Sequence, residues 1–235
     1  MVGRPGDATG ASGSIPAVGS TINPDFTAIA ALQPQLVIAD AAYHSGRLRD
    51  FEKFPIPVFI LRTNSYADVL AALSTLGAAT GHADRASTLR ADVESKAATV
   101  VGRVAGRQPV SVLILTGSGK EVFGGSDSTY LGSLVLKLRG RNVLGADPQG
   151  APIAGFGLVD VGQVATKNPD VVLALNSGAG GLAAQVKQSP AWANSSAVRN
   201  NRVFEVDIAL FLRSPGPRVG DALEQLAALL YPNAR

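Results

Sequence analysis

The chain has 235 residues, enough for one large domain or two modest ones. Hydrophobic residues make up 46% and charged residues 17%, which excludes a disordered chain, and the net charge of +3 is not gathered into any Lys/Arg run or basic helix with interleaved aromatics, which argues against nucleic-acid binding. There is no Cys, which excludes disulfides and thiolate metal sites, and there is no apolar run of about 18 residues to cross a membrane.

Residues 1–20 are rich in Gly, Ser and Pro and read as loop, with a short strand expected at 15–18. Met1-Val-Gly-Arg-Pro lacks the apolar stretch of a signal peptide. Asp25 stands nine residues before Pro34, with Phe26, Ile29 and Ala30 at helical spacing between them and an aliphatic run at 37–39 beyond. The Asp reads as a helix cap, the Pro as a breaker and the aliphatic run as a buried parallel strand. A strand is expected at 56–62 and a helix from 65 to about 76, ending near Gly77. Residues 83–106 give the longest helical pattern, Ala-rich, amphipathic and free of Pro. At about 1.5 Å per residue it spans roughly 30 Å and either bridges two lobes or lies on the surface of one.

After Pro109 a strand is expected at 110–116 and a helix at 129–138. Asp160 then repeats the earlier pattern, nine residues before Pro169, with Val161, Val164 and Ala165 at helical spacing and an aliphatic strand at 171–175. A strand at 202–207 and an amphipathic helix at 217–230 close the chain. A helix-Pro-strand unit stated twice predicts an α/β protein of two Rossmann-like lobes with mostly parallel sheets. The expected division is an N-terminal lobe over 1–82, a linker helix over 83–107 and a C-terminal lobe over 108–235. In such sheets ligands sit outside the carboxyl ends of the strands, here the loops after Ala39, Thr116, Ala174 and Asp207.

Several chemistries are excluded. Gly117-Ser-Gly-Lys120 is not a phosphate-binding P-loop, because Ile114 stands where that motif needs Gly and Glu121 where it needs Ser or Thr. There is no Gly-x-Ser-x-Gly elbow, and the two histidines, His44 and His82, have no ligand-spaced partners. No acid–base pair stands out, so no catalytic residue, resident cofactor or bound metal is expected, and a binder is favoured over an enzyme.

The order of motifs resembles the class III substrate-binding proteins of ABC importers, which capture iron-siderophores, haem and cobalamin. Ile15-Pro-Ala-Val-Gly19 with the segment 23–39 resembles that family's first-lobe signature, Val122-Phe-Gly-Gly-Ser-Asp-Ser-Thr-Tyr-Leu-Gly-Ser-Leu with Arg141-Asn-Val its second-lobe opening, and Trp192, residues 197–207 and Ser214-Pro-Gly-Pro-Arg218 its C-terminal stretch. The resemblance implies two α/β lobes joined by one long helix. It also implies an extracytoplasmic receptor, monomeric, that hands a metal chelate or corrinoid to an ABC permease. Three departures stand out. The family's first strand and helix are missing before Met1, so the first sheet is expected to expose an edge. The family's docking Glu, seven residues before each Pro, is replaced by Thr27 and Gly162, leaving Asp25 and Asp160 as helix caps or permease contacts. Ser20 occupies the position where haem-binding members often carry Tyr. A receptor no longer coupled to transport, and a small two-lobe α/β enzyme using the same cleft, are the alternatives.

The candidate ligand contacts each have a plain structural alternative. Tyr43 and His44 follow the first repeat strand and offer a phenol and an imidazole, or a solvated loop pair. Arg213 precedes the last helix and suits a carboxylate-bearing ligand, or a surface ion pair. Lys120 and Phe123 flank the loop after residue 116. Phe156, between two glycines, is a cleft wall or a packed anchor. Asn176 opens a Gly-rich loop that can present backbone N–H groups, or a simple turn. Trp192 reads as core.

Overall fold

The computed structural model describes residues 1–8, 13–118, 121–146, 155–176, 181–213 and 216–234. The chain forms two compact units, Met1–Thr63 and Asn64–Arg235. This division starts the second unit ahead of the expected linker helix, for a reason visible in the packing of that helix described below.

In the first unit, Arg4 bridges Ala17 and Gly19 bridges Pro24, so the strand expected at 15–18 is reduced to isolated bridges. Helix α1 (Phe26–Ala31) opens where the Asp25 carboxylate accepts the Ala28 N–H at 3.0 Å. It ends at Leu32, Gln33 turns left-handed at φ 45°, and Pro34 bars continuation. Strand β1 (Val37–Asp40) follows, then short helices α2 (Ala41–His44) and α3 (Leu48–Phe51), and strand β2 (Val58–Leu61) parallel to β1 with Val37 opposite Val58. Ile29, Ala39, Phe51 and Leu61 are buried, and Phe26 meets Phe51 edge-on at 4.8 Å. The sheet has two strands among the described residues, and the Ile38 side chain in β1 is 49% exposed.

The second unit opens with helix α4 (Tyr66–Ala79), capped by the Ser65 hydroxyl, and helix α5 (Ala83–Val104). The two approach closely at Gly77, where a Cβ would lie 2.3 Å from that of Ala86. Helix α5 buries Val93, Ala97, Val100 and Val104 in the core of this unit and pairs Lys96 with Asp221 and Arg103 with Glu224. The ion pairs are exposed and contribute little; the buried stripe holds the helix.

Next come strands β3 (Ser111–Ser118) and β4 (Glu121–Gly125), helix α6 (Tyr130–Lys137), strands β5 (Arg141–Asn142) and β6 (Phe156–Leu158), and helix α7 (Val161–Ala165). Strand β7 (Val171–Asn176), helices α8 (Leu182–Gln188) and α9 (Ser196–Arg199), strand β8 (Val203–Asp207) and helix α10 (Val219–Leu230) complete the unit. The sheet order is β6-β4-β3-β7-β8, with β5 also on β3. Strands β3, β5, β7 and β8 are parallel, while β4 runs antiparallel to both β3 and β6. Gly117, at φ +104°, leads into the β3–β4 hairpin, so a strand follows where a P-loop would start a helix. Alternate residues of β3 and β7 face two cores: Val112, Ile114, Leu173 and Leu175 pack with α5, α6 and α10, and Leu113, Leu115, Val172 and Ala174 with α8 and Trp192.

The repeat is reproduced in geometry. Asp160 caps α7 by accepting the Gln163 N–H at 2.8 Å, Asn168 turns left-handed at φ 45°, and Pro169 precedes β7. The two repeat strands, β1 and β7, lie in separate sheets.

Candidate functional site

At the carboxyl end of β1, Asp40 uses one carboxylate oxygen to cap α2 through the Ala42 N–H at 2.7 Å, and the other accepts the Thr63 hydroxyl. His44 is 8% exposed. Its Nδ1 accepts the Asp40 N–H at 2.9 Å and its Nε2 lies 2.8 Å from the Thr21 carbonyl, so the proton sits on Nε2. Thr21 is itself held by the Asp7 carboxylate at 2.8 and 2.9 Å. The imidazole thus ties the loop around Thr21 to the end of β1, with its ring edge-on to Phe51. Metal ligation by His44 requires breaking one of these bonds. Tyr43 beside it is half-buried.

In the second unit, Thr116 pairs with Leu175 and Asn176 with Asp207, which aligns the carboxyl ends of β3, β7 and β8. Phe123 lies opposite Thr116 and Leu158 and is half-buried against the core. Phe156 is 2% exposed and belongs to the core, which places it as a packed anchor. Asn176 ends β7; its side chain, the loop 177–180 and Lys120 lie outside the described residues. Trp192 is fully buried and donates its indole N–H to the Val161 carbonyl at 2.7 Å.

The Asp207 carboxylate accepts the Ala209 N–H at 2.8 Å and starts a wide π-type turn, Ala209–Arg213, anchored by buried Leu210 and Phe211. Arg213 is its last residue. The Arg213 Nε is buried and has no hydrogen-bond partner among the described residues. A buried donor left unpaired is costly. Tyr130, which the sequence reading did not single out, is also at this end. Burial pushes its phenol well above the ordinary range against the opposing pull of Arg218, so it stays protonated. Its signal in the sequence was its place at the start of α6, just after the Thr129 cap.

Asp25 and Asp160 are exposed and both serve as caps. Capping does not consume the charge, so the structure leaves each carboxylate able to meet a cation.

The model of the family described as Periplasmic binding protein matches residues 3–209, and the chain belongs to that family. It is 24% identical over 223 residues to an uncharacterized ABC transporter substrate-binding lipoprotein, YvrC, of Bacillus subtilis (strain 168), covering 90% of this chain and 67% of that protein. It is 27% identical over 203 residues to the Fe(3+) dicitrate-binding periplasmic protein FecB of Escherichia coli (strain K12), covering 85% of this chain and 64% of that protein. The chain therefore spans about two thirds of the length of these relatives. Among solved structures, Staphylococcus aureus IsdE complexed with heme superimposes with a TM-score of 0.85 at 21% identity, over 98% of this chain and 91% of that one, a likeness of fold.

Proposed function

We propose that this protein is an extracytoplasmic receptor that captures an iron chelate, haem or a cobalamin-like ligand and delivers it to an ABC importer permease, without doing chemistry on it. The observation that supports the receptor reading most is the family match across residues 3–209. The unpaired Arg213 Nε favours an acidic ligand, such as a carboxylate chelate or a haem propionate. Tyr43, Lys120, Phe123, Asn176 and Arg213 are the proposed contacts. His44 fixes the loop around Thr21 and Phe156 supports β4, each within its own unit. Asp25 and Asp160 are the proposed permease contacts, with the two shortened side chains standing in for the family's Glu pair. The family supports the extracytoplasmic reading; no described helix is long and apolar enough to cross a membrane.

Native mass spectrometry of protein purified from its source, followed by visible absorption, tests this reading. A bound iron chelate, haem or corrinoid with its absorption band is expected. Purification with a tightly bound metabolite that is turned over on incubation would instead favour a small α/β enzyme.

A further inference from the structure

The sequence carries no basic run, yet the fold gathers cations at one end of the second unit. Parallel register aligns the amino ends of β5, β3, β7 and β8, with Ser111 opposite Arg141, Val112 opposite Val171 and Val172 opposite Val203. Arg107 precedes β3, Arg139 and Arg141 lie at β5, Lys167 precedes β7, and Arg199 precedes β8. All five are exposed. None forms an ion pair among the described residues. Arg107 donates one hydrogen bond to the Asn233 carbonyl, while the other four side chains donate none there. The acid at this end, Asp170, is committed to Ser111 and Ser196 and sits beside Arg202. Arg202 itself is spent on the carbonyl end of α10, at 3.0 and 2.7 Å from Leu229 and Leu230.

Strand spacing of about 4.8 Å sets these cations over roughly 15 Å. They stand on strand ends and loops. Tyr231, at the end of α10, is buried with its hydroxyl on the Leu138 carbonyl. Single-stranded nucleic acid would call for exposed stacking rings, which this end lacks among the described residues. A broad field of unpaired charge without stacking groups matches a lipid headgroup surface.

We propose that the amino-end face of the second sheet binds an anionic phospholipid surface, through Arg107, Arg139, Arg141, Lys167 and Arg199. This face is opposite the strand ends that carry Arg213, so a lipid-bound protein keeps that end open.

The test is co-sedimentation of the full chain with phosphatidylcholine vesicles containing phosphatidylglycerol, against vesicles of phosphatidylcholine alone. Wild type is expected to bind the anionic vesicles, to ignore the neutral ones, and to be released by salt. Arg141, Lys167 and Arg199 donate no side-chain hydrogen bond among the described residues, so the triple Gln variant is expected to keep its melting temperature. Each cation near an anionic bilayer is worth about fivefold in partitioning, so the variant should bind about a hundredfold more weakly. Failure of wild type to bind anionic vesicles, equal binding to neutral ones, insensitivity to salt, or an unchanged triple variant would overturn the proposal. Capture of a single-stranded oligonucleotide without capture of vesicles would also overturn it, in favour of a polyanion site.

Discussion

Asp170 offers a sharp test of how the second unit positions its strands. Its carboxylate accepts the Ser111 N–H at 2.9 Å, the Ser111 hydroxyl at 2.6 Å and the Ser196 hydroxyl at 3.3 Å. It thereby pins β3 to β7 at their amino ends. Burial works against the charge, but the bonds from Ser111 and Ser196 and the nearby Arg202 outweigh it and hold the carboxyl below 3.8, its ordinary value. Asp170→Asn keeps one acceptor and removes the charge. A hydrogen bond to a charged group contributes about 1.5–3 kcal/mol, and partial exposure reduces this, so the variant should be about 1–2 kcal/mol less stable in urea melts near neutral pH. Because the folded-state value is lowered, this stability is present above the unfolded value and is lost as pH falls through the folded one. The gap between wild type and variant should therefore narrow in melts at about pH 2. A gap of equal size at both pH values would refute the assignment of the effect to the charged carboxylate.

Three further perturbations follow from the geometry. His44→Ala removes two backbone-anchoring hydrogen bonds and should lower stability by about 2–3 kcal/mol in thermal melts, while ligand affinity moves by less than about twofold; a large affinity loss in a stably folded variant would make His44 a ligand contact. Phe156→Ala should cost about 3–5 kcal/mol and Phe156→Leu less than about 1.5, and near-neutral alanine would show that the ring is not a core anchor. The pair Asp25→Asn with Asp160→Asn should abolish uptake in cells with ligand affinity and melting temperature unchanged, since Asn caps helices as well as Asp does; wild-type uptake would reduce both residues to caps and favour a receptor docked by other means.

Much of the scaffold was legible because it rests on local rules. The Asp caps, the breaks at Pro34 and Pro169 and the aliphatic runs placed both repeat units, and Ser65, Thr129 and the Ala-rich stretch placed α4, α6 and α5 within a few residues. Strand β4 escaped because Gly124 and Gly125 dilute its pattern; its pairing is set by β3 and β6, which lie elsewhere in the sequence. The three-residue β6 is too short for any periodicity. The π-type turn at Ala209–Arg213 has the composition of a strand or helix, and tertiary packing of Leu210 and Phe211 decides it. At the site, residue types were legible but partners were not. His44 looked like a free imidazole until the fold brought Thr21 to its Nε2, and the bond from Ser111 to Asp170 joins residues 59 apart. The basic face is the extreme case, since its cations are spread from Arg107 to Arg199 and meet only through strand register.

The receptor reading is tested most directly by calorimetric titration of the protein with ferric citrate, haemin and cyanocobalamin in turn, repeated on Arg213→Ala. One of the three is expected to bind with one-to-one stoichiometry. If that ligand is acidic, its affinity should fall about tenfold to a hundredfold in the variant, the worth of one charge-assisted hydrogen bond. Absence of binding by all three, with no rise in melting temperature on their addition, would contradict the account.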